Sequence, residues 1–142
     1  MHARTAHSYF HMMFAMIILA LNGAPDIDNV VRAIEAVENS AWTLPGGGLQ
    51  WKESTWREET RESFTKANSR EFSRQLAAQR LTKFVRKLHA LDIPATPELL
   101  GSIWNKGWTG ALMMRRHKEV CEYGQRVKNY HDFYLCPPPK QP

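Results

Sequence analysis

The residues best suited to chemistry lie between Val30 and Trp56, with Glu38 at their centre. Ile27, Val30, Val31, Ile34 and Val37 fall at the spacing of one buried helical stripe. Glu38 follows Ile34 by four residues and Val31 by seven, so at about 100° per residue it projects from the middle of that stripe. Desolvation there disfavours the charged form and raises the pKa, the condition under which a carboxylic acid still donates a proton near neutral pH. A turn-rich break follows, Pro45-Gly46-Gly47-Gly48, then Leu49-Gln50-Trp51 and the start of a second helix near Ser54-Thr55-Trp56. A helix-borne acid facing a glycine loop, with an amide and aromatic rings beside it, suits general-acid cleavage of a sugar.

Several elements must hold these residues in place. Asp26 is a candidate N-cap for the Glu38 helix, with Asp28 in its first turn. Opposite the stripe sit Arg32, Glu35 and Ala36, which makes Glu35 the solvated carboxylate and Glu38 the sheltered one. Three consecutive glycines allow either a close approach to a ligand or a tight turn, and Leu49 to Trp51 fit a short strand of a small β-hairpin. Glu53, Glu58 and Glu59 are candidates for a second carboxylate, in a stretch that otherwise reads as a solvated face.

Asn68 and Glu71 form a capping box for a long helix reaching about His89. Its core stripe is Phe72, Leu76, Ala77, Leu81, Phe84, Val85, Leu88 and Leu91, and its basic residues are spread round the other sides. Thr96 and Pro97 restart the chain as N-cap and first helical residue. Leu99, Leu100, Ile103 and Trp104 then point inward before a break at Asn105-Lys106-Gly107. A last helix runs from about Lys118 to Tyr134 with Val120, Tyr123, Val127, Tyr130 and Tyr134 in register, Tyr130 and Tyr134 as core.

A chain of 142 residues, 43% hydrophobic and 23% charged, fits one globular domain of modest core, assigned to residues 25–135. The net charge of +5 favours an acidic partner: nucleic acid, anionic lipid or a polyanionic wall polymer. Residues 1–24 have the outline of a secretory signal, with Arg4 before the apolar run Met12 to Leu21 and Ala24 at the cut. That run is too short to span a bilayer comfortably. Residues 136–142 read as an extended, proline-rich tail. Cys121 and Cys136 are close enough for a disulfide only where the chain turns back after Leu135. The six histidines show no metal spacing, and neither a phosphate loop nor a Gly-x-Ser-x-Gly elbow is present.

Glu38-Asn39, Gly48-Leu49-Gln50 with Thr55, Trp104-Asn105-Lys106-Gly107, and Tyr123 with Val127 resemble the four ordered motifs of the SLT-type lytic transglycosylases of the lysozyme-like superfamily. The resemblance runs from about Ile27 to Tyr134. Asn39 stands where that family has Ser and Trp56 where it has Ala, and the segment from Glu38 to Gln50 is short for it.

The resemblance implies a mainly α, single lysozyme-like helical domain that cleaves the β-1,4 bond between N-acetylmuramic acid and N-acetylglucosamine. Glu38 would protonate the bridging oxygen as general acid. The same carboxylate would then take the proton of the muramic acid C6 hydroxyl, which closes on C1 as a 1,6-anhydro ring without water. Gln50, Thr55, Asn105, Tyr123 and Gly48 would hold the sugar, with no cofactor and no metal. The implied partner is the peptidoglycan glycan strand, met outside the cytoplasm by an exported monomer that needs no membrane span and no nucleic acid. Two rival readings stay open: a hydrolytic muramidase with Glu53 or Glu58 activating water, and a non-catalytic basic binding module for cell wall or nucleic acid in which Glu38 is structural.

Overall fold

The computed structural model describes residues 23–114 and 117–136, all of whose regular elements are helical. The chain forms α1 (Ile27–Glu38), α2 (Glu53–Glu59), α3 (Arg70–Ala90), α4 (Pro97–Met113) and α5 (Lys118–Leu135), in one mainly α domain. The signal assigned to residues 1–24 falls, but for its last two positions, outside the described residues, as does the tail beyond Cys136. No helix among the described residues is long and apolar enough to cross a membrane.

The caps explain where the helices begin. Asp26 accepts from the Asn29 amide at 3.2 Å, and Thr96 accepts from the Leu99 amide at 3.2 Å with Pro97 next to it. The capping box expected at Asn68 is not formed. Phe64–Asn68 is a short 3-10 turn, and Ser69 takes the N-cap position without a side-chain bond.

Helix α5 packs along both α1 and α4, and α3 contacts α1 and α4. Glu38 at the end of α1 meets Tyr123 early in α5, while Arg32 stacks over the Tyr134 ring at 4.2 Å. These two contacts fix α1 and α5 as antiparallel. A Cβ on Gly124 would lie 2.5 Å from the Glu98 carbonyl oxygen, so a residue without one is what lets α4 and α5 come this close. The core between these helices contains Val30, Val31, Ile34, Leu81, Leu88, Leu100, Ile103 and Val127, all buried. Leu91, expected in this stripe, is instead 57% exposed because α3 ends before it. Tyr130 is exposed as well, on the outer side of α5.

The glycine loop folds differently from the expected hairpin. Gly47–Leu49 is a 3-10 turn, and Gln50 beyond it takes a left-handed backbone conformation (φ 49°) that breaks an extended strand. The close approach the glycines permit is to the protein itself. A Cβ on Gly47 would sit 2.1 Å from the Ala67 carbonyl oxygen, and one on Gly48 would enter the Trp42 indole.

Two further expectations change. Glu35 is not solvated: Arg70 pairs with it at 2.8 Å, Arg74 lies 3.6 Å away and the Trp42 indole N–H donates to it at 3.2 Å. Cys121 and Cys136 do not bridge, because α5 runs unbroken between them and holds them about 22 Å apart at 1.5 Å per residue.

Gly47→Ala tests the loop. The substitution adds a backbone clash at a positive φ of 63°, and a loss of about 3 kcal/mol is expected in urea unfolding.

Candidate active site

The site begins where α1 ends. Asn39 caps the helix in the left-handed conformation (φ 45°), its N–H donating to the Glu35 carbonyl at 3.0 Å. Asn tolerates that conformation better than most residues, which accounts for Asn rather than Ser after the acid. The helix therefore stops with the Glu38 side chain half-buried at the mouth of a cleft of about 240 Å³. The Tyr123 hydroxyl donates to Glu38 Oε1 at 2.5 Å, from a ring that is 6% exposed.

The remaining walls come from three other segments. After the 3-10 turn the left-handed Gln50 aims its amide back at α1, with Nε2 at 3.5 Å from the Glu38 carbonyl oxygen. Trp51, Lys52 and Thr55 line the cleft from the start of α2. Trp104, Asn105, Lys106 and Gly107 line it from α4. Gly107 has φ 76° and ψ 171°, a backbone region nearly restricted to glycine, and it breaks the helix at the site. The expected break is thus present, and helical structure resumes beyond it through Trp108 to Met113.

The floor is set by tryptophans. Trp51 lies edge-on to Trp104 at 4.8 Å and to Trp56 at 5.5 Å, and its indole N–H donates to the buried Ser73 hydroxyl at 2.8 Å. Trp56 is fully buried and bonds the Glu62 carbonyl at 2.8 Å, so it is a core residue. Arg80 forms a side wall, held by Glu59 at 2.5 Å with Lys83 on the other Glu59 oxygen at 2.5 Å. Burial works against the Glu59 charge, yet the bonds from Lys83 and Arg80 outweigh it and hold the carboxyl below its usual value.

Glu38 is shifted the other way. Burial pushes its carboxyl above the usual 4.5, and neither the Tyr123 hydroxyl nor the Arg126 charge, both of which favour the carboxylate, cancels this. The Tyr123 phenol is pushed well up by its burial and by the carboxylate it donates to, so it remains a donor throughout the working pH range. The arrangement can store a proton on a carboxyl at the mouth of a narrow cleft and stabilise the carboxylate after that proton leaves.

Of the residues proposed from sequence, Glu38, Gln50, Thr55 and Asn105 line this one cleft. Tyr123 closes it through its bond to Glu38 and also lines an adjoining groove of about 650 Å³, which shares Asn105 and Lys106. Gly48 does not line the cleft. It is buried beneath Trp42, supporting the turn that carries Gln50. Sequence reasoning passed over Lys52, Arg80, Lys106 and Arg126. Lys52 and Lys106 stand inside the segments singled out for Gln50 and Asn105, and Arg126 is one helical turn from Tyr123, so proximity in sequence was the signal available. Among the described residues no group of three or more His, Cys, Asp or Glu is placed to hold a metal ion.

Two predictions follow from the Glu38–Tyr123 pair. Tyr123→Phe removes a bond that favours the carboxylate, so the Glu38 pKa should rise further, as read by NMR titration of the side-chain carboxyl. Because the folded state holds the Glu38 proton more tightly than the unfolded one, ionisation costs stability; the cost is absent below the unfolded value near 4.5 and fully present above the folded value. Glu38→Gln, which keeps an acceptor for Tyr123, should therefore equal or exceed the native protein in thermal midpoint at pH 7, with the difference shrinking as pH falls through 4.5.

No protein-family model, curated protein or solved structure matches this chain.

Proposed function

We propose that the protein is a lytic transglycosylase, cleaving the β-1,4 bond between N-acetylmuramic acid and N-acetylglucosamine with Glu38 as its single acid and base. The observation that carries this reading is a raised-pKa carboxyl, bonded to Tyr123, in a cleft whose other lining residues include no second carboxylate. Inverting hydrolysis needs a second carboxylate about 6.5–9.5 Å away to activate water. Internal cyclisation needs none, since Glu38, once it has protonated the bridging oxygen, becomes the base that takes the C6 hydroxyl proton.

Neither acid named as the water activator, Glu53 or Glu58, lines this cleft. Glu53 is paired with Arg57 at 2.5 Å and lines a separate groove of about 1020 Å³, together with Trp56 and Phe64. Glu58 is largely exposed, 4.0 Å from Arg80, and does not line the Glu38 cleft. Arg70 and Arg74 share Glu35, and Arg80 and Lys83 share Glu59, so two carboxylates offset part of the positive charge of α3. Gln50, Thr55 and Asn105 supply the amide and hydroxyl groups that N-acetyl sugars bond, and Trp104 an aromatic wall. Action on peptidoglycan as a monomer outside the cytoplasm belongs to the same proposal.

Purified peptidoglycan incubated with the protein should release muropeptides one water lighter than hydrolysis products. Glu38→Gln should lower that release at least 100-fold, within the range for loss of a general acid. Activity should fall as pH rises past the elevated Glu38 pKa. Reducing ends in place of anhydro ends would reassign the reaction to hydrolysis, and no soluble product would remove the enzyme reading.

A further inference from the structure

The charges around the cleft are unbalanced. Its lining contains one acid, Glu38, and three cations, Lys52, Arg80 and Lys106. Arg80 is held by Glu59, whereas Lys52 and Lys106 are exposed and form no ion pair within 4.0 Å among the described residues. They enter from different segments, Lys52 just before α2 and Lys106 from α4 beside the Gly107 break, and both border the space that Glu38 faces. A general acid must be protonated before it donates, and with Glu38 in that form the cleft presents two ammonium groups without an ion-pair partner to whatever lies against the acid. A neutral N-acetyl sugar polymer would gain nothing from them. A carboxylate beside the scissile bond would gain two charge-assisted contacts.

We propose that Lys52 and Lys106 are specificity-determining residues that bind a carboxylate on the muramyl sugar, and that the preferred substrate is a glycan strand whose 3-O-lactyl arms end in free carboxylates. This rests on the lytic transglycosylase reading for its choice of sugar. The lactyl arm is a free carboxylate only after the amide joining it to the stem peptide has been hydrolysed, water giving the carboxylate to the sugar and the amine to the peptide. The protein then acts after an amide-hydrolysing step. Stem peptides also carry carboxylates, but these hang beyond the far end of the lactyl arm, whereas both lysines line the same cleft as the acid.

The test uses the Glu38→Gln full chain as a binder that does not turn over, followed by the fluorescence of Trp51 and Trp104 at the cleft. Three ligands are titrated: peptide-free glycan strands, the same strands with their lactyl carboxylates converted to amides, and intact peptide-bearing strands. Peptide-free strands should bind about tenfold more tightly than amidated ones, the scale of two partly exposed charge pairs. Adding Lys52→Gln and Lys106→Gln should remove that difference, with an unchanged helical circular dichroism spectrum showing that the fold is intact. Equal affinity for charged and amidated strands, indifference to the two lysine substitutions, tighter binding of intact strands, or no binding of any strand would overturn the proposal. Turnover by the native protein, measured in parallel, reports separately on the reaction. Selective binding without anhydro ends would remove the transglycosylase and leave carboxylate recognition standing; anhydro ends without selectivity would do the reverse.

Discussion

The bond from the Tyr123 hydroxyl to Glu38 is the contact on which the rest of the site depends. It joins the end of α1 to the early turns of α5 across 85 residues of sequence, and it fixes where the acid sits relative to everything else. Burial alone would disfavour ionisation of Glu38, and a carboxylate that never forms cannot act as a base. The tyrosine donor and the Arg126 charge restore part of what burial takes away, leaving a group that is raised in pKa yet still ionisable. The pairing also needs α5 to lie close against both α1 and α4. Gly124 permits this by omitting the Cβ that would meet the Glu98 carbonyl.

Around that bond the fold is arranged to keep the cleft narrow and its contents defined. The Trp51, Trp56 and Trp104 cluster fills the space beneath the cleft, and the Trp51 indole is anchored on Ser73 of α3. Arg80 is held by Glu59, so it forms a wall with its charge already matched. The glycines at 46–48 lie in close contact with the protein itself. Their small size lets the chain pass under Trp42 and against Ala67, and this turn delivers Gln50 beside the acid.

Much of this was legible in the sequence because it is local. The stripe of Val30, Val31 and Ile34 puts Glu38 at its middle, and in the fold that residue is half-buried at the helix end; Thr96-Pro97 marks the start of α4. Gln50, Thr55 and Asn105 were singled out from short motifs, and they do share one cleft. What was missed depends on contacts between distant segments. Glu35 lies on the face that helical periodicity assigns to solvent, and it is sheltered only because Arg70, Arg74 and Trp42 arrive from elsewhere. The expected β-hairpin failed because a three-glycine turn closed as a 3-10 segment under Trp42, whose role no periodicity announces. The capping box at Asn68 has the right residue types, yet the preceding 3-10 turn runs through Asn68 and moves the cap by one position.

The central claim is that one carboxylate carries both proton transfers and that water takes no part in the bond change. Cleavage of peptidoglycan in water enriched in oxygen-18 tests it most directly. The account predicts new glycan ends that carry no heavy oxygen, because the C6 hydroxyl supplies the oxygen that closes on C1. Heavy oxygen at C1 of the released muramyl ends would contradict it, since that atom comes only from solvent attack.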